Sequence, residues 1–266
     1  MKIASAGCVC VDVFVDKNNE VRPGGESLNF CGNISRISGV ECSLLGVVGD
    51  DDFGRDVRSG IASLKINADN LRTERGATAN HRIWHTADGD RYFTEDSWDG
   101  GVFQTYSLNK AELDFLKTQD AVHTHFDSPV FGQVLELRKK SGFLLAVDFN
   151  DHREFSEWES IVGSVDLFFI SGSLDDYFGD ILRSWSEKYP GVFTVTLAEA
   201  GSISYKGGRE FRCSAVPAER VVDTTGAGDS YIAGFTAAYT ANCSVEEAMT
   251  QGSRIAAENI THLGGF

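Results

Sequence analysis

Apolar segments the length of a β-strand alternate with helical patterns along most of the chain, and nothing else in the sequence narrows the possible folds as far. Ile3 to Val11 reads as a strand, Ser27 to Ser38 as a helix, Cys42 to Val48 as a strand and Gly54 to Leu64 as a helix. A helical crossover lays each new strand parallel to the last, so the pattern predicts an α/β fold with a mostly parallel sheet and helices on both faces. The second half repeats it. A helix closes at Leu135 to Lys140 with Gly142 as its C-cap, and Phe143 to Phe149, Val165 to Ile170 and Val192 to Leu197 read as buried strands. Asp229 to Tyr239 is helical. Ser244-Val245-Glu246-Glu247 is a capping box that opens a last helix with Ala248, Met249, Gly252, Ile255, Ala256 and Ile260 on one face.

One stretch departs from this order. Ala79 to Phe93 carries His81, Ile83 and His85 in alternation, then Asp88-Gly89, then Arg91-Tyr92-Phe93. Asp-Gly between alternating runs marks a hairpin, and an antiparallel hairpin cannot extend a parallel order. The expectation is one α/β domain over 1–266 with a small β-lid formed mainly by about 76–103. Residues 11–23, through Val11 to Val15 and Val21, are candidate partner strands.

Charge sets limits on partners. Lys and Arg number 24 against 39 Asp and Glu, a formal charge of −15 over 266 residues, and no basic stripe occurs. Polyanion binding draws its affinity from Lys and Arg, so nucleic acid is not an expected partner. The longest apolar runs fall well short of the roughly 18 residues of a membrane span, so no membrane association is expected. The N-terminus shows no secretory h-region, and a cytoplasmic location is expected. Cys8, Cys10, Cys31, Cys42, Cys213 and Cys243 are scattered among small or apolar neighbours and read as free, buried thiols.

The chemistry concentrates at Val221-Val222-Asp223-Thr224-Thr225-Gly226-Ala227-Gly228-Asp229-Ser230. An apolar strand end, a small-residue turn and a helix start let the amides of Gly226, Ala227 and Gly228 point together at an anion. The Asp229 carboxylate stands where it can take the proton of a hydroxyl attacking the phosphate held there. The bland alternative is a tight turn with Asp229 as a helix cap. A dinucleotide fingerprint would need glycine at Tyr231, and no P-loop sequence is present. A second glycine motif, Pro23-Gly24-Gly25-Glu26-Ser27-Leu28-Asn29, lets a ligand approach the backbone, and the Asn29 amide suits sugar hydroxyls. Asp12, placed after the first strand, suits a pair of hydroxyls. His123 and His125 share a strand face as pocket wall or metal ligands, with no third ligand at metal spacing. Glu95, Asp96 and Asp99 form an acidic cluster, either solvated or facing a cationic substrate.

Gly24-Gly25 with Asn29, Gly49-Asp50-Asp51-Asp52-Phe53-Gly54, and Asp223 to Asp229 with Gly234-Phe235 together resemble the two signatures of the ribokinase-like (PfkB) carbohydrate kinases. The resemblance implies an ATP- and Mg²⁺-dependent kinase acting on a primary hydroxyl of a ketose-like sugar, with Asp229 as catalytic base, an anion hole that extends from Gly226, Ala227 and Gly228 to Asp229, and Asp12, Gly24, Gly25 and Asn29 on the sugar. Glu95 and Asp99 would meet an amine on that sugar. The short length, the Gly-Gly-Glu start and the ending Gly264-Gly265-Phe266 are similar to the fructoselysine 6-kinase branch. Thr196, Gly201, Thr225, Gly226, Gly228 and Ser253 fall on the ATP side, and Asp148, Asn150 and Arg153 match a phosphate-side motif. The sequence departs from the pattern in two places. Ala198 stands where relatives carry glycine, and Ser171 to Asp176 replaces an Asn-x-x-Glu, leaving Asp175 or water to handle the metal, so no metal ligand is assigned. A monovalent cation is not assumed, although some relatives bind one at residues matching Asp223 and Thr225. A homodimer paired through the lid is an expected assembly. The alternatives are a kinase of hexose, ribose or nucleoside, or a non-catalytic sugar- or nucleotide-binding regulator.

Overall fold

The computed structural model describes residues 1–86, 90–174 and 178–266, and the expected Asp88-Gly89 turn and Asp175 lie outside them. The elements in chain order begin with β1 (Lys2–Ala6), β2 (Cys10–Phe14), β3 (Glu20–Gly24), α1 (Glu26–Ile34), β4 (Glu41–Gly49) and α2 (Asp52–Ile61). Next come β5 (Ile66–Asn67), β6 (Leu71–Glu74), β7 (Asn80–His85), β8 (Arg91–Tyr92), β9 (Trp98–Asp99), α3 (Lys110–Leu116) and β10 (Ala121–His125). The second half holds α4 (Phe131–Arg138), β11 (Leu144–Asp148), α5 (Phe155–Trp158), β12 (Leu167–Ser171), α6 (Gly179–Lys188) and β13 (Val192–Thr196). It ends with β14 (Ser202–Lys206), β15 (Arg209–Cys213), α7 (Ala227–Thr240) and α8 (Val245–Asn259).

The main sheet runs β15-β14-β13-β12-β11-β10-β1-β4-β5, with β6 also on β4. From β5 and β6 to β13 every pair is parallel, as the strand and helix alternation requires. β14 and β15 add an antiparallel edge whose turn uses Gly207 and Gly208 at φ +57 and +76. Strand alternation sends Phe168 to one side of the sheet with Phe149, Trp158 and Phe193, and its neighbour Phe169 to the other with Phe30, Tyr231 and Phe235. Burying each such ring contributes about 1.5–3 kcal/mol. α7 and α8 approach backbone to backbone, since a Cβ on Gly234 would lie 2.8 Å from the Gln251 carbonyl and one on Gly252 2.7 Å from that of Tyr231.

A second, mixed sheet runs β3-β2-β7-β8, with β9 on β7. β2 pairs antiparallel with β3 but parallel with β7. Its strands come from the two stretches that the alternation singled out. The Gly49 to Gly54 motif forms its stem: the Asp51 carboxylate caps α2 at the Gly54 amide and also accepts from the Thr78 amide and hydroxyl.

Three expectations are corrected. Ile3 to Val11 is two strands: the chain leaves the main sheet after Ala6 at Gly7, where a Cβ would meet Ser27 Oγ at 2.8 Å, and β2 joins the small sheet. Both pieces are buried throughout, so composition marks no break between them. Gly142 does not cap α4, which closes at Lys139 in right-handed conformation. The buried face of α8 is Val245, Ala248, Met249, Gly252, Ser253, Ala257 and Asn259, while Ile255, Ala256 and Ile260 are half-buried. All six cysteines are free, four buried and Cys213 and Cys243 half-buried. Among the described residues no helix is long and apolar enough to cross a membrane.

Candidate active site

The two glycine motifs meet in space. Gly226 takes a left-handed φ of +73 at the start of α7, and a Cβ there would lie 2.6 Å from Gly265 Cα. The Ala227 amide donates to the Thr224 carbonyl at 3.2 Å and closes the turn, so it is not the free donor the sequence suggests. Gly228 and Asp229 follow in the first turn of α7, where amides have no intrahelical acceptor. A Cβ on Gly228 would meet nothing within 4 Å, so open space adjoins the first turn of α7 on that side.

The turn is braced from behind. Asp223 accepts from the Thr225 amide at 2.8 Å and the Gly264 amide at 2.8 Å, and Asn259 Nδ2 donates to the Thr225 carbonyl at 2.7 Å. These protein donors already engage the groups that the resemblance would offer to a monovalent cation. From the small sheet, Arg91 donates to the Thr224 carbonyl at 2.6 Å, the Thr224 hydroxyl donates to Asp90 at 2.8 Å, and His85 Nε2 lies 3.2 Å from Asp223.

Asp229 is 8 % exposed and accepts from Asn29 Nδ2 at 2.9 Å. Burial, then the charges of Glu26 and Asp148, push its carboxyl up to about 8, against the pull of Asn29 and Arg91. Asn29 is brought there by α1, which starts at Gly25 with φ +95, where a Cβ would lie 2.9 Å from the Cys8 carbonyl. A Cβ on Gly24 would sit 2.1 Å from Asp12 Oδ2, so glycine makes room for that carboxylate. Asp12 lies in β2 of the small sheet rather than after the first main-sheet strand. Burial raises its carboxyl to about 7. Asp12 Oδ2, Asn29 Oδ1 and Ser27 Oγ are buried with no hydrogen-bond partner in the protein.

Glu26, the first residue of α1, has no role in the sequence reading. Its charge raises Asp12, Asp148 and Asp229, and it lies 3.9 Å from His125 Nε2. Arg91, which lowers both Asp12 and Asp229, was equally unmarked, because its contact with Thr224 spans 133 residues. Among the described residues one trio, Glu26, His125 and Asp127, has ligand atoms within 4.8 Å of one another. His125 has both nitrogens engaged: Nδ1 lies 2.6 Å from Asp127, and Nε2 lies 3.3 Å from the Cys8 amide. His123 is a core residue, stacked on Phe30 at 4.2 Å and 2.8 Å from the Ser5 hydroxyl. Burial, with His125 beside it, holds it neutral at about 3.

The other candidates divide between the cleft and the scaffold. Asp148, at the end of β11, accepts from the Asn150 amide at 2.8 Å, and burial raises it to about 7. Arg153 donates to the carbonyls of His152 and Ser171 and covers the Phe178 ring at 4.5 Å, which pins the turn after β11. Thr196 donates to the Ile170 carbonyl at 3.4 Å. Gly201 has φ +92 and a Cβ there would lie 2.1 Å from the Cys213 carbonyl, so the turn into β14 explains this glycine. Ala198 holds a left-handed φ of +48, a strain of roughly 1–2 kcal/mol. Ser253 accepts from the Val216 amide at 2.9 Å and orders the segment before the cradle. Glu95 and Asp99 are exposed, and Asp99 accepts from the Gly101 amide at 3.0 Å.

Comparison with known proteins shows the family and the fold. The model of the pfkB family carbohydrate kinases matches residues 11–265. Fructoselysine 6-kinase of Shigella flexneri is 29 % identical over 265 residues, 99 % of each chain. A fructosamine kinase of Bacillus subtilis is 28 % identical over 271 residues, 100 % of this chain and 93 % of that one. The crystal structure of adenosine kinase from Sinorhizobium meliloti superimposes with a TM-score of 0.84 at 22 % identity, covering 99 % of this chain and 95 % of that chain, and shows the shared fold. The chain belongs to the pfkB family of carbohydrate kinases, ATP-dependent enzymes with the ribokinase-like fold, and is a sugar kinase.

Proposed function

We propose that the enzyme transfers the γ-phosphoryl group of ATP to the terminal primary hydroxyl of an amine-bearing ketose, with fructoselysine as the preferred acceptor and O6 as the site. The observation that carries the mechanism is the Asn29 to Asp229 hydrogen bond, which joins motifs 200 residues apart at the mouth of the amide cradle. The unpartnered Asp12 Oδ2 and Asn29 Oδ1 accept sugar hydroxyls and hold the attacking oxygen near Asp229. As that oxygen bonds to phosphorus, its proton passes to the ionised form of Asp229, whose share grows as pH rises toward about 8, and ADP leaves with the electrons of the broken bond. The amides of Gly228 and Asp229 stabilise charge on the transferring group. Thr225 Oγ1, buried without a partner, fits the same anion.

Magnesium suits hard oxygen donors, so Asp148 fits it and a trio built on His125 does not. When bound, the ion neutralises phosphate charge. Residues 216–219 with Arg254, Ala257, Glu258 and Thr261 line an open pocket of about 320 Å³ beside α8, which is the place assigned to the nucleotide base. The small sheet acts as the lid over the acceptor, and residues 1–266 work as one unit. The amine preference is supported by the two curated relatives and by the carboxylates of the cleft, where Asp12, Glu26, Asp148 and Asp229 outnumber the cations Arg91 and His125. A panel of fructoselysine, fructose, ribose and adenosine tests it. A kcat/KM for fructoselysine at least tenfold above the others is expected, and equal efficiency on all four would overturn the acceptor assignment.

A further inference from the structure

Cross-strand partners in a sheet share a face, and in the small sheet this builds a row of chemistry. Asp12 pairs with His81, and His81 pairs with Trp98, so a carboxylate, an imidazole and an indole stand side by side. His81 stacks on Phe93 at 4.1 Å and meets Trp98 edge-on at 5.4 Å. The rings continue from Trp98 to Phe103 at 6.4 Å and from Phe103 to His125 at 6.0 Å, which links this row to the main sheet. Phe93 is 44 % and Trp98 42 % exposed, an open aromatic surface at the edge of the cleft.

Glu26 stands between the two sheets. Its charge acts on Asp12 and His81 in the small sheet and on Asp148 in the main sheet. Glu26 lies 3.9 Å from His125 Nε2, and burial of that imidazole is outweighed by the charges of Glu26 and Asp127, which raise it to about 9, so His125 is the one cation already beside Glu26 among the described residues. Burial, with Arg91 adding to it and Glu26 opposing, lowers His81 below the ordinary imidazole range, so His81 adds no cation beyond His125. Asp12 and Asn29 offer acceptors for sugar hydroxyls, and the exposed rings of Phe93 and Trp98 extend the apolar surface beyond them.

We infer that Glu26 with His81, Phe93 and Trp98 forms the specificity end of the acceptor site, which takes a protonated secondary amine on the carboxylate and the amine's substituent on the rings. This rests on the acceptor class proposed above. Carboxylate and aromatic faces both attract an alkylammonium, and the ring surface rewards a long substituent over a short one. The role that the sequence gave to Glu95 and Asp99 falls to Glu26.

The test is the ratio of kcat/KM for fructoselysine to that for fructose, with ATP and Mg²⁺, in wild type, Glu26→Gln, Trp98→Ala and Trp98→Phe. Glu26→Gln is expected to lower the ratio tenfold or more through the KM of fructoselysine. Trp98→Ala is expected to lower it severalfold, and Trp98→Phe to retain most of it. A wild-type preference that survives both Glu26→Gln and Trp98→Ala overturns this inference alone. A wild-type ratio near one overturns the acceptor class, and this inference with it. A higher Mg²⁺ requirement in Glu26→Gln with an unchanged ratio also overturns it, in favour of a metal role for Glu26.

Discussion

Asp229→Asn should make a more stable and nearly inactive enzyme, and the structure sets both magnitudes. Asn keeps the shape of Asp, and its amide oxygen still accepts from Asn29. What changes is charge. Asp229 in the folded chain has its carboxyl raised from an ordinary 3.8 to about 8. Between those values the folded protein holds a proton that the unfolded chain releases, so the carboxyl's contribution to stability falls as pH rises. The fall is about 1.4 kcal/mol per pH unit, or about 3 kcal/mol between pH 5 and pH 7. Asn titrates nowhere in this range. The stability gap between variant and wild type should therefore widen by about 3 kcal/mol over that interval, roughly 5 to 10 °C in Tm for a chain of this size. Thermal melts at the two pH values measure the gap, and an ADP-coupled assay measures turnover, which should fall by roughly 10²- to 10⁴-fold as expected for a lost general base. Near-normal turnover would refute the base assignment, and a gap that does not widen with pH would refute the electrostatic argument.

Other perturbations separate the parts of the site. Gly228→Val fills the open space beside the first turn of α7 and should abolish turnover with the fold intact by circular dichroism; wild-type activity would remove the cradle from the mechanism. Asp12→Ala should raise the sugar KM strongly while the KM for ATP changes little, and an unchanged sugar KM would take Asp12 out of the acceptor site. Asn259→Ala frees the buried Thr225 carbonyl, costing about 1–3 kcal/mol in a denaturant titration and lowering kcat through the cradle; no change in either would show that the brace is not needed.

The fold class follows from periodicity, because the central parallel strands β1, β4, β11, β12 and β13 are largely buried apolar runs, although among the described residues only α2, α3 and α8 carry a side-chain cap. The break between β1 and β2 leaves no such trace, since two strands buried on both faces read as one. The cradle and Asn29 are legible because tight backbone approach demands glycine at Gly24, Gly25 and Gly226. Glu26 sits within a motif quoted from the sequence, yet an acid in the first turn of a helix is ordinary for dipole reasons, and its role depends on strands brought in from elsewhere. The same holds for Arg91, whose partner Thr224 is adjacent only in three dimensions. Gly201 and Arg153 show the opposite case, where a motif match falls on residues that internal packing already explains.

The most direct test of the central claim is the structure of the product. Purified enzyme, ATP, Mg²⁺ and fructoselysine should yield ADP and a phosphorylated sugar in equal amounts, with phosphorus NMR coupling placing the single phosphate on the terminal C6 oxygen. No phosphorylated sugar, or a phosphate on another hydroxyl, would contradict the account.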